Sequence, residues 1–125
     1  MSPGGASIPA AGALLLAACA GSEYQLDGPR SAAGLEMAPY AIVEQCVELD
    51  RGERIAYYFS SVAPVAFNIH FHDANAVIMP IERKDVRQDA GDFTADRKQV
   101  YCLMWEAGAE PSVLEYRIRP VPRSR

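Results

Sequence analysis

The sequence predicts an all-β domain, an antiparallel β-sandwich of about six to eight short strands. Three observations carry this. Between residues 40 and 119 apolar and polar residues alternate with period two, turn residues interrupt them at short intervals, and helical periodicity is almost absent. Alternation has this meaning because successive side chains of a strand point to opposite faces, one buried and one left to water.

The first strand is expected over Ala41 to Leu49, with Val43, Val47 and Leu49 on one face. Asp50-Arg51-Gly52-Glu53 turns the chain into a second, Arg54 to Ser60, where Ile55, Tyr57 and Phe59 alternate. A third, Val65 to His72, puts Phe67, Ile69 and Phe71 on one face and Asn68, His70 and His72 on the other. Asp73-Ala74-Asn75 is the next turn. Ala76 to Ile81 contains Pro80, which cannot donate to a ladder and so marks an edge or a bend. Glu82 to Lys98 mixes both signs of charge with few apolar residues, as a solvated connection or edge hairpin does, with Asp92-Phe93-Thr94-Ala95 as a short strand. Gln99 to Glu106 and Ser112 to Arg119 complete the set. They are joined by Ala107-Gly108-Ala109-Glu110-Pro111.

Ahead of the domain, Ala20 to Pro39 is rich in Gly, Ser, Ala and Pro and reads as a tether over residues 19–39. About 20 flexible residues reach roughly 25 Å. Ile8 to Ala20 is an apolar run too short for a membrane-spanning helix but of the length of a signal peptide's apolar region. It closes on Leu16-Ala17-Ala18-Cys19, which resembles the lipobox of bacterial lipoprotein signal peptides. The resemblance implies cleavage of residues 1–18 and lipidation of Cys19, whose several acyl chains would give lasting membrane attachment. It departs from the pattern in having no Lys or Arg before the apolar run. Ala20 lacks the acidic signal that holds lipoproteins at the inner membrane. The implied address is therefore the cell envelope, at the outer membrane facing the periplasm in a diderm.

With Cys19 used by lipid, Cys46 and Cys102 are an even pair in a compartment that permits disulfides; the alternative is two buried free thiols. The formal net charge of −4 and the lack of a basic stripe argue against a nucleic-acid partner.

The order Cys46, Tyr57-Tyr58-Phe59, Phe67-Asn68-Ile69-His70-Phe71-His72-Asp73, Tyr101-Cys102-Leu103-Met104-Trp105 and Tyr116-Arg117-Ile118 resembles the GOLD (Golgi-dynamics) domain over Ile42 to Ile118. That family consists of interaction-mediating β-sandwiches with paired cysteines similarly placed. The resemblance implies the fold, a Cys46 to Cys102 bridge and a generic binding role. Cargo transport does not carry over, because a lipid signal at the front replaces the family's coiled coil and transmembrane helix.

The candidate binding face carries Asn68, His70 and His72, and would meet an envelope protein or a cell-wall component. The same face supplies the alternative, a metal site. His70 and His72 lie at i and i+2 on one side of a strand, with Asp73, Met79 or Met104 as a third ligand; a His/Met set suits copper and a His/carboxylate set zinc. Of the eight strand aromatics Tyr57, Tyr58, Phe59, Phe67, Phe71, Tyr101, Trp105 and Tyr116, most are expected in the core. Residues 120–125, basic around Pro120 and Pro122, form a solvated tail or touch anionic lipid or polymer. No nucleophile elbow, His-Glu-x-x-His, phosphate loop or EF-hand spacing occurs, so an enzyme and a resident cofactor are not expected.

Overall fold

The computed structural model describes residues 4–7 and 23–123. The apolar run and Cys19 lie outside the described residues. Among the described residues the chain is all-β: β1 (Arg30–Met37), β2 (Ile42–Leu49), β3 (Arg54–Asp73), β4 (Ala76–Thr94), β5 (Gln99–Ala107) and β6 (Ser112–Val121). They form one antiparallel sheet in the order β1-β6-β3-β5-β2, with β4 along the other edge of β3.

The sheet curls because β3 serves both halves of it. Its first part, Arg54 to Ser61, pairs with β6, and its second, Val65 to His70, pairs with β5. β4 follows β3 along both parts, with register shifts where the hairpin folds over. Two facing layers result. One holds β1, β6 and the start of β3; the other holds β2, β5 and its end. The fold-over at residues 61–65 defines an upper end, which also carries the β1–β2 and β5–β6 connections. The lower end carries the β2–β3 turn, the β3–β4 turn and both ends of the described domain.

Ser112 fixes the fold-over. Its hydroxyl accepts from the Ala63 backbone N–H at 2.9 Å, meets the Ser61 hydroxyl, and donates to the Ala63 carbonyl at 3.3 Å. All three residues are buried, so these groups would be costly to leave unpaired.

The core follows the predicted alternation. Ile55, Tyr57, Phe59, Val65, Phe67, Ile69 and Phe71 of β3 all point inward and are buried, as are Tyr101, Leu103 and Trp105 of β5 and Leu114, Tyr116 and Ile118 of β6. Rings cross between the layers: Phe59 lies 4.6 Å from Phe67, and Trp105 stacks on Tyr116 at 4.9 Å between centroids.

Three sequence expectations are corrected. The tether does not extend to Pro39, because residues 30–37 are a strand paired with β6. Gly34, at φ 68°, permits an irregularity between Ala32 and Leu35, and Met37 is buried. The segment before β1 is also held: Arg30 donates to the carbonyls of Glu23, Gln25 and Cys46, and Glu48 N–H to that of Tyr24. The domain thus includes the chain from at least Glu23, well ahead of residue 40. Second, the expected strands ending at Ser60 and starting at Val65 are one bent strand, and of the two readings of the charged stretch from Glu82, connection or edge hairpin, the hairpin holds as far as Thr94, where the stretch continues β4. That edge strand buries only Phe93 fully and packs Ile78, Ile81 and Val86 partly against the core, which explains its polar composition. Third, β6 runs through Pro120 to Val121, so the first two residues of the expected tail at 120–125 belong to a strand.

Candidate functional site

Chemistry-bearing side chains gather on the outer face of the β2/β5/β3 layer. Strand register dictates the gathering: His70 lies opposite Cys102 on β5, Cys102 opposite Cys46 on β2, Asn68 opposite Met104, and Met104 opposite Glu44. Residues in a row share a face, so His70, Cys102 and Cys46 form one line of side chains and Asn68, Met104 and Glu44 the next.

Cys46 and Cys102 are bonded to each other, their Cα atoms 4.0 Å apart. The bridge predicted from cysteine parity is therefore present. It joins the edge strand β2 to β5.

The expected open binding face is different from its sequence picture. Asn68 is only 7% exposed and His70 only 5%, while His72 is exposed. The centre of β3 is flanked on both sides, by β5 and β4, and these neighbours crowd the two short-reach residues out of water. Asn68 has a structural task instead. Its Oδ1 accepts from His70 Nδ1–H at 2.7 Å, which places the neutral ring's lone pair on Nε2.

That lone pair faces Glu44, whose Oε2 is 3.9 Å away. The other carboxylate oxygen of Glu44 lies 3.3 Å from Cys46 Sγ. A bridged sulfur has no proton to donate, so this approach is a van der Waals contact and not a hydrogen bond. Donor atoms of Glu44, His70 and Cys102 all lie within 4.8 Å of one another. Of the residues expected to hold a metal, His70 and His72 are neighbours, with ring centroids 5.4 Å apart, but Asp73 is engaged by Arg97 at 3.3 Å. Sequence reading missed Glu44 because its link to His70 runs through two strand registers.

Burial lowers the pKa of His70 below its ordinary 6.5, the carboxylate of Glu44 opposes this by raising it, and His72 adds to the lowering. A group with a depressed folded-state pKa that must lose a proton to fit its site gives stability that is complete above the unfolded pKa of about 6.5 and declines as pH falls through it. The decline is at most about 1.4 kcal/mol per pH unit. Urea midpoints measured between pH 7.5 and 5 are expected to fall for the wild type and to fall less steeply for His70→Gln; parallel profiles would refute the assignment.

A second feature is apolar. At the upper end Val62 is 70% exposed and Val113 is also exposed, beside a shallow depression lined by Met37, Ala38 and Pro111. Tyr40, 64% exposed, sits in the adjoining turn at φ 60°, its N–H bonded to the Gly108 carbonyl. Positive φ is costly for a bulky residue. Among the eight aromatics expected mainly in the core, Tyr57, Phe59, Phe67, Phe71, Tyr101, Trp105 and Tyr116 are buried and Tyr58 is half-buried. Tyr40 has no strand periodicity to mark it, and sequence reading passed over it.

No family model matches the chain, and no curated protein matches it in sequence. Among solved structures it is similar to PliG of Aeromonas hydrophila, a periplasmic lysozyme inhibitor of g-type lysozyme, with a TM-score of 0.54 and 9% identity over 75% of this chain and 87% of that one. It is likewise similar to the Yersinia pseudotuberculosis-derived mitogen, with a TM-score of 0.53 and 9% identity over 78% of this chain and 89% of that one. At such identities the likeness is one of β-fold.

Proposed function

We propose that this protein is a lipid-anchored module of the bacterial cell envelope that binds another envelope protein through the upper end of its sandwich. The observation that carries the reading is the separation of two features. The described domain begins at the lower end, at Glu23, and the exposed apolar residues Val62, Tyr40 and Val113 lie at the upper one.

The short distance from Cys19 to Glu23 gives this separation its consequence. Four residue steps span at most about 14 Å, so a lipid on Cys19 would hold the lower end close to the head groups. The eight residues of β1, at about 3.4 Å each, would raise the opposite end roughly 25 Å or more above it. A membrane-distal apolar cluster carrying a strained, exposed tyrosine is suited to a protein partner. One fold neighbour, described as a periplasmic lysozyme inhibitor, is itself a protein that acts on a protein, which supports the class of partner and the compartment. The GOLD-like order of residues supports the same class.

Two measurements on the full chain in a bacterial host test the reading. Labelled palmitate should enter the wild type and not Cys19→Ser; an unlabelled wild type would remove the anchor. A photoreactive residue at Val62 should give a discrete protein adduct that Val113→Asp abolishes, whereas the same probe at Arg51 of the lower end should not. Equal adducts from both ends would remove the binding surface.

A further inference from the structure

The disulfide and the groups beside it form a cluster with an excess of acceptors. Glu44 offers a carboxylate, His70 offers the Nε2 lone pair that the Asn68 contact leaves free, and neither has a proton to give the other across 3.9 Å. His70 is nine-tenths buried, its Nε2 lies 3.9 Å from Glu44 Oε2, and its ring is grouped within 4.8 Å with donor atoms of Glu44 and Cys102. Two sulfurs complete the row, on residues directly opposite one another in adjacent strands. Electron pairs converge here.

We propose that Cys46, Cys102, His70 and Glu44 form a zinc site that exists only when the disulfide is reduced, so that the bridge and the metal are alternative clasps between β2 and β5. In the oxidised state the sulfurs are spent on each other, and a bonded sulfur is a poor zinc ligand. Reduction by a dithiol breaks the Cys46–Cys102 bond and forms one in the dithiol; two electrons and two protons pass to the pair of cysteines. Zinc then displaces those two protons, because the ligands are thiolates.

The resulting set of two thiolates, one imidazole and one carboxylate has the number and type of donors that tetrahedral zinc takes. Thiolates in such a site stand roughly 3.8 Å apart, given Zn–S bonds of about 2.3 Å, a separation that opposed positions on neighbouring strands reach by rotating about Cα–Cβ. The hydrogen bond from His70 Nδ1–H to Asn68 supplies the ring-orienting partner that metal-bound histidines require. Glu44 is exposed, so an ion has a route in from the outer face. This site differs from a His70/His72/Asp73 set, and it stands independently of any anchoring or partner.

The test uses the full chain carrying Cys19→Ser, which leaves no third thiol. Protein reduced with a phosphine, which is converted to its oxide, is titrated anaerobically with Zn²⁺ against a chromophoric chelator, in parallel with the oxidised form. One zinc per chain is expected in the reduced form, bound at least 100-fold more tightly than in the oxidised form, and Co²⁺ in its place should show a near-ultraviolet thiolate charge-transfer band. His70→Ala and the surface change Glu44→Gln should each weaken reduced-state binding at least tenfold while the oxidised proteins keep the wild-type circular dichroism. If His70→Ala fails to fold, Glu44→Gln alone decides. Equal zinc affinity in the two redox states, or reduced-state affinity unchanged by Glu44→Gln, would overturn the proposal.

Discussion

Trp105→Ala is expected to destabilise the domain by about 3–5 kcal/mol, the range for deleting a fully buried large aromatic. Trp105 is 0% exposed and touches rings from both layers: Phe67 at 5.5 Å in its own layer, and Phe59 at 5.9 Å and Tyr116 at 4.9 Å across the interface. Removing it leaves a cavity that cannot collapse easily, since the surrounding rings are anchored on β3 and β6 in both layers. Trp105→Phe separates packing from polarity. The indole Nε1 is buried without a hydrogen-bond partner, so its loss removes an unsatisfied donor and offsets part of the lost volume. That variant is expected to lose less than half as much. Because Trp105 is the only tryptophan, unfolding in urea must be followed by circular dichroism. An alanine variant within about 1 kcal/mol of the wild type, at unchanged denaturant slope, would show that this residue does not join the layers.

Much of this core was legible because its signal is local. Ile55, Tyr57 and Phe59, then Phe67, Ile69 and Phe71, announce an inward face by alternation alone, and the structure buries all six. Where the signal depends on a neighbour, the sequence is silent. β1 reads as a tether because Ser31-Ala32-Ala33-Gly34 is a run of small residues without strand alternation, and its pairing partner, β6, lies about 80 residues further along the chain. Nothing in Ser61-Val62-Ala63-Pro64 marks one strand folding over itself, because the hydroxyl that holds the bend comes from Ser112. The charges of Glu82 to Thr94 fit an edge strand as well as a loop; only pairing with β3 chooses between them.

The same division applies to the candidate site. Cysteine parity pointed to the Cys46–Cys102 bridge, and period two put Asn68, His70 and His72 on one face. Alternation assigns a face without saying whether that face is covered. In β3 the outward positions at Asn68 and His70 are buried, since the strand lies inside the sheet, whereas His72 near its end is not. Glu44 joins them only through the registers of β2 on β5 and β5 on β3.

Removing the bridge should rank with the tryptophan change. The double variant Cys46→Ser/Cys102→Ser is expected to lose about 2–5 kcal/mol, as small secreted domains do. Two contributions add. In the unfolded chain the bond closes a loop with a sequence separation of 56, and freeing it returns roughly 4 kcal/mol of chain entropy in the loop-closure model. In the folded chain β2 is an edge strand whose one strand partner among the described residues is β5, helped by the hydrogen bonds of Glu48 to Tyr24 and of Arg30 to Cys46, and the bridge lies in the middle of the β2–β5 pairing. Val47 and Leu49 stay buried at the lower end of β2, whereas Ile42 at its upper end is exposed, so opening should begin above the lost bridge. Hydrogen exchange is expected to quicken first over residues 42–46 and only later in β5, together with a lower urea midpoint. Both cysteines must be replaced, because a lone thiol left on the outer face would form mixed disulfides and confuse the measurement. A midpoint within about 0.5 kcal/mol of the wild type, with unchanged exchange in β2, would mean that β-pairing alone holds this edge. Zinc adds a check on the separate origin of the two clasps: it should restore the midpoint of reduced wild-type protein and leave the double-serine variant where it was.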